Sequence, residues 1–224
     1  MMEGIVYLSN AAIADGVAKS AADEPSARRW DEVDTLRRLR MGDLSALDGL
    51  VMRYQVEMVR TAYLIVRDRA AAEDVAQTIF VRLAERIHQY DPQRPFAPYL
   101  YRSILHEAIK QAAKRERSLS MDADLADGDM TLADLLPDWS NDPAAQFEQA
   151  EIRRAVWDAM GKLPPKQRAA AVMRFYLDWS EADMAAALNV PVGTVKWRVH
   201  DARARLQKLL APLMTAALAA WLAR

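Results

Sequence analysis

The chain has 224 residues, of which 52% are hydrophobic and 27% are charged, and its formal net charge at pH 7 is −1. A chain of this length can bury the core of one large or two small domains. It contains no cysteine and three histidines far apart in sequence (His88, His106 and His200), which excludes disulfides and thiolate metal sites and leaves no basis for a metal or another cofactor. Seven glycines, helical periodicities and the lack of strand-like alternation predict an all-α protein.

Residues 1–26 have no readable pattern, and we expect them to be disordered. No lysine or arginine precedes the short apolar run at Ile5, which argues against a secretory signal. No apolar run reaches the roughly 18 residues that a membrane span needs. The sequence therefore predicts a cytoplasmic protein without direct membrane insertion.

Residues 27–117 form the first predicted domain. Its first helix covers 26–41 and stops at Gly42, the second covers 44–66, and Asp68 separates the second from a third that opens near Ala70. In the third helix Val75, Ile79 and Leu83 should face inward with Phe80 beside them. Glu73, Asp74 and Gln77 then share an outer polar face, which on its own is more often only solvated surface.

A proline-rich loop at 90–95 precedes a fourth helix that starts near Pro98. This helix places aromatic residues beside cations and ends in a basic cluster of Lys114, Arg115 and Arg117. Rings on which bases stack, next to cations that neutralise phosphates, suit single-stranded nucleic acid. The alternative is that Tyr99 or Tyr101 is simply a core residue.

Residues 118–143 carry seven aspartates and no lysine or arginine, which is typical of a flexible acidic linker. Such a linker could mimic nucleic acid in a basic channel, and disorder without a binding role is an equal alternative. A second domain follows at 144–210. Its first two helices cover 146–160 and 166–176, the second directing Ala170, Val172, Met173 and Phe175 toward the helices that follow.

The stretch 180–210 has the pattern of a helix-turn-helix. Ser180 can cap a short helix that ends at Leu188, and Asn189 with Pro191 can turn the chain into a second helix over 192–210. Apolar residues form one stripe of the second helix: Val195, Val199, Ala202, Leu206 and Leu209. Its other face is basic, so this unit is predicted to read duplex DNA, although a basic face alone is often only solvated. Pro212 should interrupt this helix, and an apolar tail is expected over 211–224.

Three motifs in this order resemble those of bacterial RNA polymerase sigma factors of the extracytoplasmic-function (ECF) group. They are Ala72-Glu73-Asp74-Val75-Ala76-Gln77 with Phe80; Phe96 with Tyr99-Leu100-Tyr101-Arg102; and Leu163-Pro164-Pro165 with Gln167 and Arg168, followed by Val190 to Lys196. The resemblance covers roughly residues 31–210. It implies an all-α protein of two small domains, the first a sigma domain 2 and the second a sigma domain 4.

The resemblance implies three groups of site residues. The residues expected to dock the clamp coiled coil of core RNA polymerase are Glu73, Asp74, Gln77 and Phe80. Those expected at the melted minus-ten element are Arg94, Phe96, Tyr99, Arg102, His106 and Lys110. Those expected at the minus-thirty-five element are Thr194, Lys196, Trp197, Arg198, His200, Asp201 and Arg203. The expected partners are core RNA polymerase, through its clamp coiled coil and flap, promoter DNA and an anti-sigma factor.

The sequence departs from the family pattern at several of these positions. Tyr99 and His106 stand where the family commonly has Trp and Asn, and Trp197 and Asp201 replace a small polar and a basic residue of the recognition helix. An altered minus-thirty-five preference is expected, in which Asp201 could accept from a cytosine amino group. The rival interpretation is a stand-alone helix-turn-helix regulator. An enzyme is not expected, because no phosphate-binding glycine loop or clustered His or Cys is present.

Overall fold

The computed structural model describes residues 31–121 and 143–222, with side chains over 31–118 and 151–212. Regular structure in these ranges is helical, which confirms the predicted all-α class. The first half contains α1 (Glu32–Arg40), α2 (Ala46–Val66), α3 (Arg69–Arg86), a short 3-10 turn (Ile87–Gln89) and α4 (Phe96–Met121). The second half contains α5 (Pro143–Gly161), α6 (Pro165–Ala171), a π-helical turn (Val172–Tyr176), α7 (Glu181–Leu188) and α8 (Val192–Leu222).

Local signals set the ends of the helices in the first half. The side chain of Asp31 caps α1 by accepting from the N–H groups of Val33 and Asp34, and Gly42 takes a φ of +89° after its end. Asp68 accepts from the Ala71 N–H at 2.8 Å and so caps α3, as predicted. Arg67 ends α2 in the left-handed region with a φ of 62°, a conformation that the sequence did not predict for an arginine.

Helices α2, α3 and α4 pack around one apolar core. The four residues predicted to lie inside α3 are buried: Val75, Ile79, Phe80 and Leu83. They pack with fully buried residues of α2 and α4, among them Leu50, Ile65 and Leu100. This core fixes the exposed face of α3 and the start of α4, where the candidate sites lie.

The helix-turn-helix forms as predicted. The Ser180 hydroxyl accepts from the Asp183 N–H at 3.1 Å, and Asn189 ends α7 with a φ of 52°. Asparagine tolerates this left-handed conformation better than most residues. Ala185 of α7 and Val195 of α8 are 6% and 0% exposed, and the two helices are in contact.

Two predictions about the second half are wrong. The expected single helix over 166–176 changes at Val172 into a π-helical turn, in which the Leu177 N–H donates to the Val172 carbonyl oxygen. A π turn holds more residues than an α turn, so the expected inward direction fails for Phe175, which is 41% exposed. Pro212 does not interrupt α8 either, since it is exposed there and the carbonyl oxygen that loses its N–H partner can reach water.

The predicted domain boundaries are partly outside the described residues. Helix α4 continues to Met121, beyond the expected end at 117, and α5 begins at Pro143. Residues 1–26, most of the predicted linker, and the side chains of the tail at 213–222 lie outside the described part. Among the described residues, no helix is both long and apolar enough to cross a bilayer.

The two halves pack against each other. Helix α6 lies against α2 and α4, and α7 lies against α4. The buried apolar residues form a continuous cluster across this contact, with Ile65 and Leu105 on one side and Met173 and Met184 on the other. The candidate sites of both halves are therefore held in one arrangement.

Candidate functional site

The second helix of the helix-turn-helix presents one buried and one exposed face. Val195 and Ala202 are fully buried, whereas Trp197 is 61% exposed and Lys196 lies beside it at the surface. His200 and Arg203 are also exposed, one and two turns further along the helix, and Thr194 and Arg198 are half-buried at the edges of this face. The result is a basic surface with an aromatic side chain, at the end of α8 that a helix-turn-helix inserts into the major groove.

Two of these cations make only weak contacts within the protein. The Lys196 ammonium lies 3.9 Å from a Glu181 carboxylate oxygen, and the Lys196 side chain is 65% exposed. The Arg203 guanidinium lies 5.8 Å from the centre of the Phe175 ring. An exposed ion pair contributes about 0–1 kcal/mol and an exposed cation–π contact about 0.5–1 kcal/mol, so phosphates can compete for both side chains.

Asp201 is engaged within the protein. The Gln167 side chain of α6 donates to its carboxylate, and the Arg205 Nε donates to the same oxygen at 3.1 Å. Gln167 is buried and Asp201 half-buried, so the carboxylate joins α6 to α8. The expectation that Asp201 accepts from a cytosine is therefore not supported by its position.

The polar face predicted on α3 is present. Glu73, Asp74 and Gln77 are all exposed within one turn of the helix. The Arg69 Nε lies 2.9 Å from Glu73, which partly neutralises that carboxylate. Phe80 is only 6% exposed, so the structure corrects its expected role: its ring belongs to the core and gives a docking partner almost no surface.

The structure corrects the expected role of Phe96 in the same way. Its ring is 1% exposed and lies 5.6 Å from the ring of Tyr54 and 5.5 Å from that of Tyr90. The Tyr90 hydroxyl donates to the Arg94 carbonyl oxygen and so closes the loop at 90–95. Phe96 therefore anchors this loop from inside, while Arg94 remains exposed at its tip.

A pocket of about 320 Å³ lies between α3 and α4. Its polar lining includes Arg82, Arg86, Arg102 and Glu107, and the Tyr99 side chain forms part of its wall. Burial tends to raise the pKa of Glu107, but the hydrogen bond and charge of Arg82, 2.7 Å away, hold that pKa below its usual value. Lys110 lies 3.6 Å from the same carboxylate, so the pocket combines cations with one fixed anion.

The alternative that Tyr99 or Tyr101 is simply a core residue applies in part to both. Tyr99 and Tyr101 are half-buried. Tyr101 lies against Trp179, with ring centres 6.3 Å apart, and burial raises its pKa to about 12. His106 is exposed on α4, but its Nε2 lies 2.9 Å from the Ala187 carbonyl oxygen of α7 and donates to it, because a carbonyl oxygen can only accept.

Sequence reasoning missed the role of Arg168. Its guanidinium is 3% exposed and donates to the Ile65 carbonyl oxygen in α2 as well as to carbonyl oxygens in its own half. Arg168 belongs to the third sequence motif, but nothing in the sequence indicates a partner about one hundred residues away. Among the described residues, no group of three His, Cys, Asp or Glu side chains could hold a metal.

Two family models match the chain in the regions just described. The model of Sigma-70 region 2 matches residues 50–118, which include α3 and most of α4. The model of Sigma-70, region 4 matches residues 153–206, which include the helix-turn-helix.

Several curated proteins are similar to the chain over most of its length. The RNA polymerase sigma-E factor of Streptomyces coelicolor is 30% identical over 76% of this chain and 89% of its own length. The ECF RNA polymerase sigma factor SigW of Bacillus subtilis is 28% identical over 80% of this chain and 96% of its own length. The RNA polymerase sigma-H factor of Pseudomonas aeruginosa is 29% identical over 80% and 93%.

Two solved structures share the fold. CnrH, solved in complex with the cytosolic domain of CnrY, is 24% identical with a TM-score of 0.53, over 81% of this chain and 97% of its own. RpoE of Bartonella quintana, solved with the anti-sigma factor NepR, is 20% identical with the same TM-score, over 78% and 98%.

Proposed function

Because the chain belongs to the ECF group of the sigma-70 family, whose members recognise promoters, we propose that it divides this task among three surfaces. The α3 face docks core RNA polymerase, α8 reads the minus-thirty-five element, and α4 with the loop at 90–95 holds the melted minus-ten strand. The observation that carries this proposal is the exposed basic face of α8, with Trp197 at its centre, behind a well-formed helix-turn-helix.

At the minus-thirty-five element, Lys196, Arg198 and Arg203 neutralise phosphates and fix the register of α8 on duplex DNA. Trp197, His200 and Thr194 then lie where base edges can be read. Asp201 acts as a positioning residue, because Gln167 and Arg205 hold its carboxylate and it in turn holds α8 against α6.

At the minus-ten element, the pocket between α3 and α4 receives an unstacked base. Unstacking a base costs a few kcal/mol, which stacking on an aromatic ring and polar contacts in a pocket can offset. Tyr99 offers the ring, Arg82 and Arg102 offer donors, and Arg94 at the loop tip with Lys110 beside the pocket can bind phosphates.

The docking surface for core RNA polymerase consists of Glu73, Asp74 and Gln77, and the polymerase clamp coiled coil is its proposed partner. Asp74 is the most available of the three, since it is exposed and makes no ion pair within the part of the chain that the structure describes, whereas Glu73 is paired with Arg69. Phe80 supports this surface from within the core.

We infer that the chain itself catalyses no reaction and acts in the cytoplasm, where promoter DNA and the polymerase are found. CnrH was solved with the cytosolic domain of CnrY and the Bartonella RpoE with the anti-sigma factor NepR, and we propose an anti-sigma factor as a partner of this chain as well. The alternative of a stand-alone helix-turn-helix regulator is not favoured, because it does not explain the match of residues 50–118 to Sigma-70 region 2.

The test is binding to core RNA polymerase. We expect the purified chain to bind core polymerase and Asp74→Lys to weaken this binding by at least tenfold, because the variant puts a cation on an acidic surface. Asp48→Lys is the matched control, since Asp48 is exposed on a different helix, and it should bind as the wild type does.

Sequencing of the promoters that the assembled holoenzyme occupies would then define the minus-thirty-five and minus-ten preferences. Full binding by Asp74→Lys would contradict the proposed docking surface. Protection of operators by the chain alone, without any polymerase binding, would contradict the proposed function.

A further inference from the structure

We propose that α1 positions the loop at 90–95 for melted DNA, because both ends of this helix are hydrogen-bonded to the aromatic rings that support the loop from inside. The proposal rests on the function proposed above, since it assumes that the loop and α4 hold the minus-ten strand. It gives a role to a helix that precedes residues 50–118, the part of the chain that the Sigma-70 region 2 model matches.

Four aromatic rings connect the loop to the pocket between α3 and α4. Phe96 lies 5.6 Å from Tyr54, 5.5 Å from Tyr90 and 6.2 Å from Tyr99, and Tyr90 lies 5.2 Å from Tyr99, all measured between ring centres. We call these four residues the aromatic cluster. Phe96 and Tyr90 are 1% and 5% exposed, so packing fixes the middle of the cluster. Because Tyr99 forms part of the pocket wall, a displacement of the cluster would reach both the loop and the pocket.

Both ends of α1 bind this cluster. At the start of the helix, the Tyr54 hydroxyl donates to the Glu32 carboxylate. At its end, the Arg40 Nη1 donates to the Tyr90 carbonyl oxygen at 2.9 Å, across 50 positions of the chain. Eight residues of helix span about 12 Å. The two steps between ring centres, 5.6 Å from Tyr54 to Phe96 and 5.5 Å from Phe96 to Tyr90, cover a similar length, so α1 lies along the row of rings.

The middle of α1 is held by the core. Thr35, Leu36 and Leu39 are 8%, 7% and 2% exposed, and α1 packs against α2. It also contacts the 3-10 turn (Ile87–Gln89) that leads into the loop. The two ends of the helix therefore have defined positions from which they can hold the aromatic cluster.

The conformation of the loop depends on Tyr90, its first residue. The Tyr90 hydroxyl donates to the Arg94 carbonyl oxygen near the other end of the loop. Inside the loop, the Arg94 N–H donates to the Asp91 carbonyl oxygen and the Gln93 N–H to the Asp91 carboxylate, both at 3.0 Å. A residue that is fixed at its ring, its hydroxyl and its carbonyl oxygen thus determines where the loop begins and how it closes.

Both tyrosine hydroxyls are donors at neutral pH. Burial and the hydrogen bond to Glu32 raise the pKa of Tyr54 above its ordinary value of 10. Burial and the charges of Glu32 and Asp91 raise the pKa of Tyr90 in the same direction. The two phenols therefore remain protonated, and each donates to an acceptor in the structure.

An ordered loop lowers the cost of holding a melted strand. A flexible loop loses conformational freedom when it binds a ligand, and this loss reduces affinity. Arg94 is exposed at the loop tip and Tyr99 is half-buried at the pocket, so both can meet DNA while α1 fixes the residues behind them. Arg40 and Tyr90 are therefore positioning residues, which act through the side chains that contact the strand.

The first test uses the free chain. Arg40→Met removes the donor to the Tyr90 carbonyl oxygen, and Tyr90→Phe removes the donor to the Arg94 carbonyl oxygen while keeping the ring. Loss of either hydrogen bond should raise hydrogen exchange at the Gln93 and Arg94 amides about fivefold, as measured by NMR. Arg40→Lys, which can still donate, should recover part of the protection.

Arg37→Met is the matched control. Arg37 is exposed on the same helix and forms an ion pair with Asp34 of that helix, so its loss should leave exchange in the loop unchanged. Circular dichroism shows whether each variant is folded. Exchange at the buried Val195 of α8 should be the same in every variant, which separates a local change in the loop from a general loss of stability.

The second test measures strand opening by the holoenzyme. The probe is a promoter that the holoenzyme occupies, with 2-aminopurine placed at a minus-ten position that unstacks on melting. Arg40→Met and Tyr90→Phe should each lower the ratio of open to closed complexes about fivefold, because the loop must then be ordered at the expense of binding. Binding to core polymerase, and competition by a duplex that carries the minus-thirty-five element alone, should match the wild type, since neither the α3 face nor α8 is altered.

Unchanged exchange in both Arg40→Met and Tyr90→Phe overturns the proposal, whatever the DNA measurements show. Faster exchange with unchanged strand opening also overturns it, together with the minus-ten role of the loop, but leaves the docking and minus-thirty-five surfaces intact. If the wild-type chain bound no core polymerase, the proposed function would fail, and the exchange measurements would still decide whether α1 orders the loop.

Discussion

Replacing Arg168 by alanine tests the energetics of the interface between the two halves most directly. The guanidinium donates to four carbonyl oxygens, those of Met160 at 3.0 Å, Ile65 at 2.7 Å, Gly161 at 3.3 Å and Leu163 at 2.8 Å. It also binds Glu116 at 2.6 Å. These bonds tie the end of α5 and the turn after it to α2 of the other half.

The expected loss follows from the acceptors that the substitution leaves without a partner. Each unsatisfied buried acceptor costs roughly 1–3 kcal/mol, although water can reach some of these acceptors. The ion pair with Glu116 contributes little to the free energy of unfolding, because that carboxylate is partly exposed. Arg168→Ala should therefore lower the free energy of unfolding by about 3–5 kcal/mol, a large part of the roughly 5–15 kcal/mol of a typical domain. Arg168→Lys keeps the charge but not the planar fork of donors, and should recover less than half of the loss.

Urea unfolding followed by circular dichroism measures this loss, with the slope of the transition as a check that both variants unfold from the same compact state. Arg174→Ala is the matched control. That arginine, on the following π-helical turn, is half-exposed and binds the Trp179 carbonyl oxygen at 3.1 Å, so its loss should stay below about 1 kcal/mol. Equal losses for the two alanine variants would refute the assignment of Arg168 as the centre of the interface.

Two further predictions concern the turn and the buried phenols. Asn189→Ala should lower the free energy of unfolding by about 1–2 kcal/mol because Asn189 has a φ of 52°, whereas Asn189→Gly should change it by only a few tenths of a kcal/mol. Thermal unfolding compares the two variants, and equal effects would contradict the argument from backbone conformation. Burial raises the pKa of Tyr101 from an ordinary 10 to about 12, so the stability that its protonated phenol contributes is fully present below pH 10 and is lost as the pH rises to 12. The urea midpoint should fall less steeply with pH for Tyr101→Phe than for the wild type. Part of the fall remains, because burial also raises the pKa values of Tyr54 and Tyr176. An unchanged dependence on pH would show that Tyr101 is not buried as described.

The positions of the helix ends could be predicted because they depend on neighbours in the chain. Gly42, Asp68, Ser180 and Asn189 each end or start a helix through their own backbone conformation or a hydrogen bond to a residue within three positions. The same holds for the exposed face of α3, because a helix with 3.6 residues per turn places Glu73, Asp74 and Gln77 together once its apolar side is known.

Periodicity was less reliable for the role of single aromatic residues. It indicates that a residue lies near a core, but it does not separate a ring that contacts a ligand from one that supports the loop beside it. The periodicity placed Phe80 beside the core of α3, where it is buried, although the resemblance implied that Phe80 and Phe96 are binding residues. Phe175 was expected to be buried and is exposed after a π-helical turn. These outcomes depend on the local packing of neighbouring helices.

The sequence by itself thus determined the all-α class, the order of the helices, the helix-turn-helix and its basic face, and with them the family. Only the tertiary structure decided which partners meet across the chain: Arg168 with Ile65 and Glu116, Asp201 with Gln167, and His106 with Ala187. The reason is physical. Caps and helix periodicity act within a few residues, whereas these contacts join residues 34 to 103 positions apart, whose meeting depends on how whole helices pack.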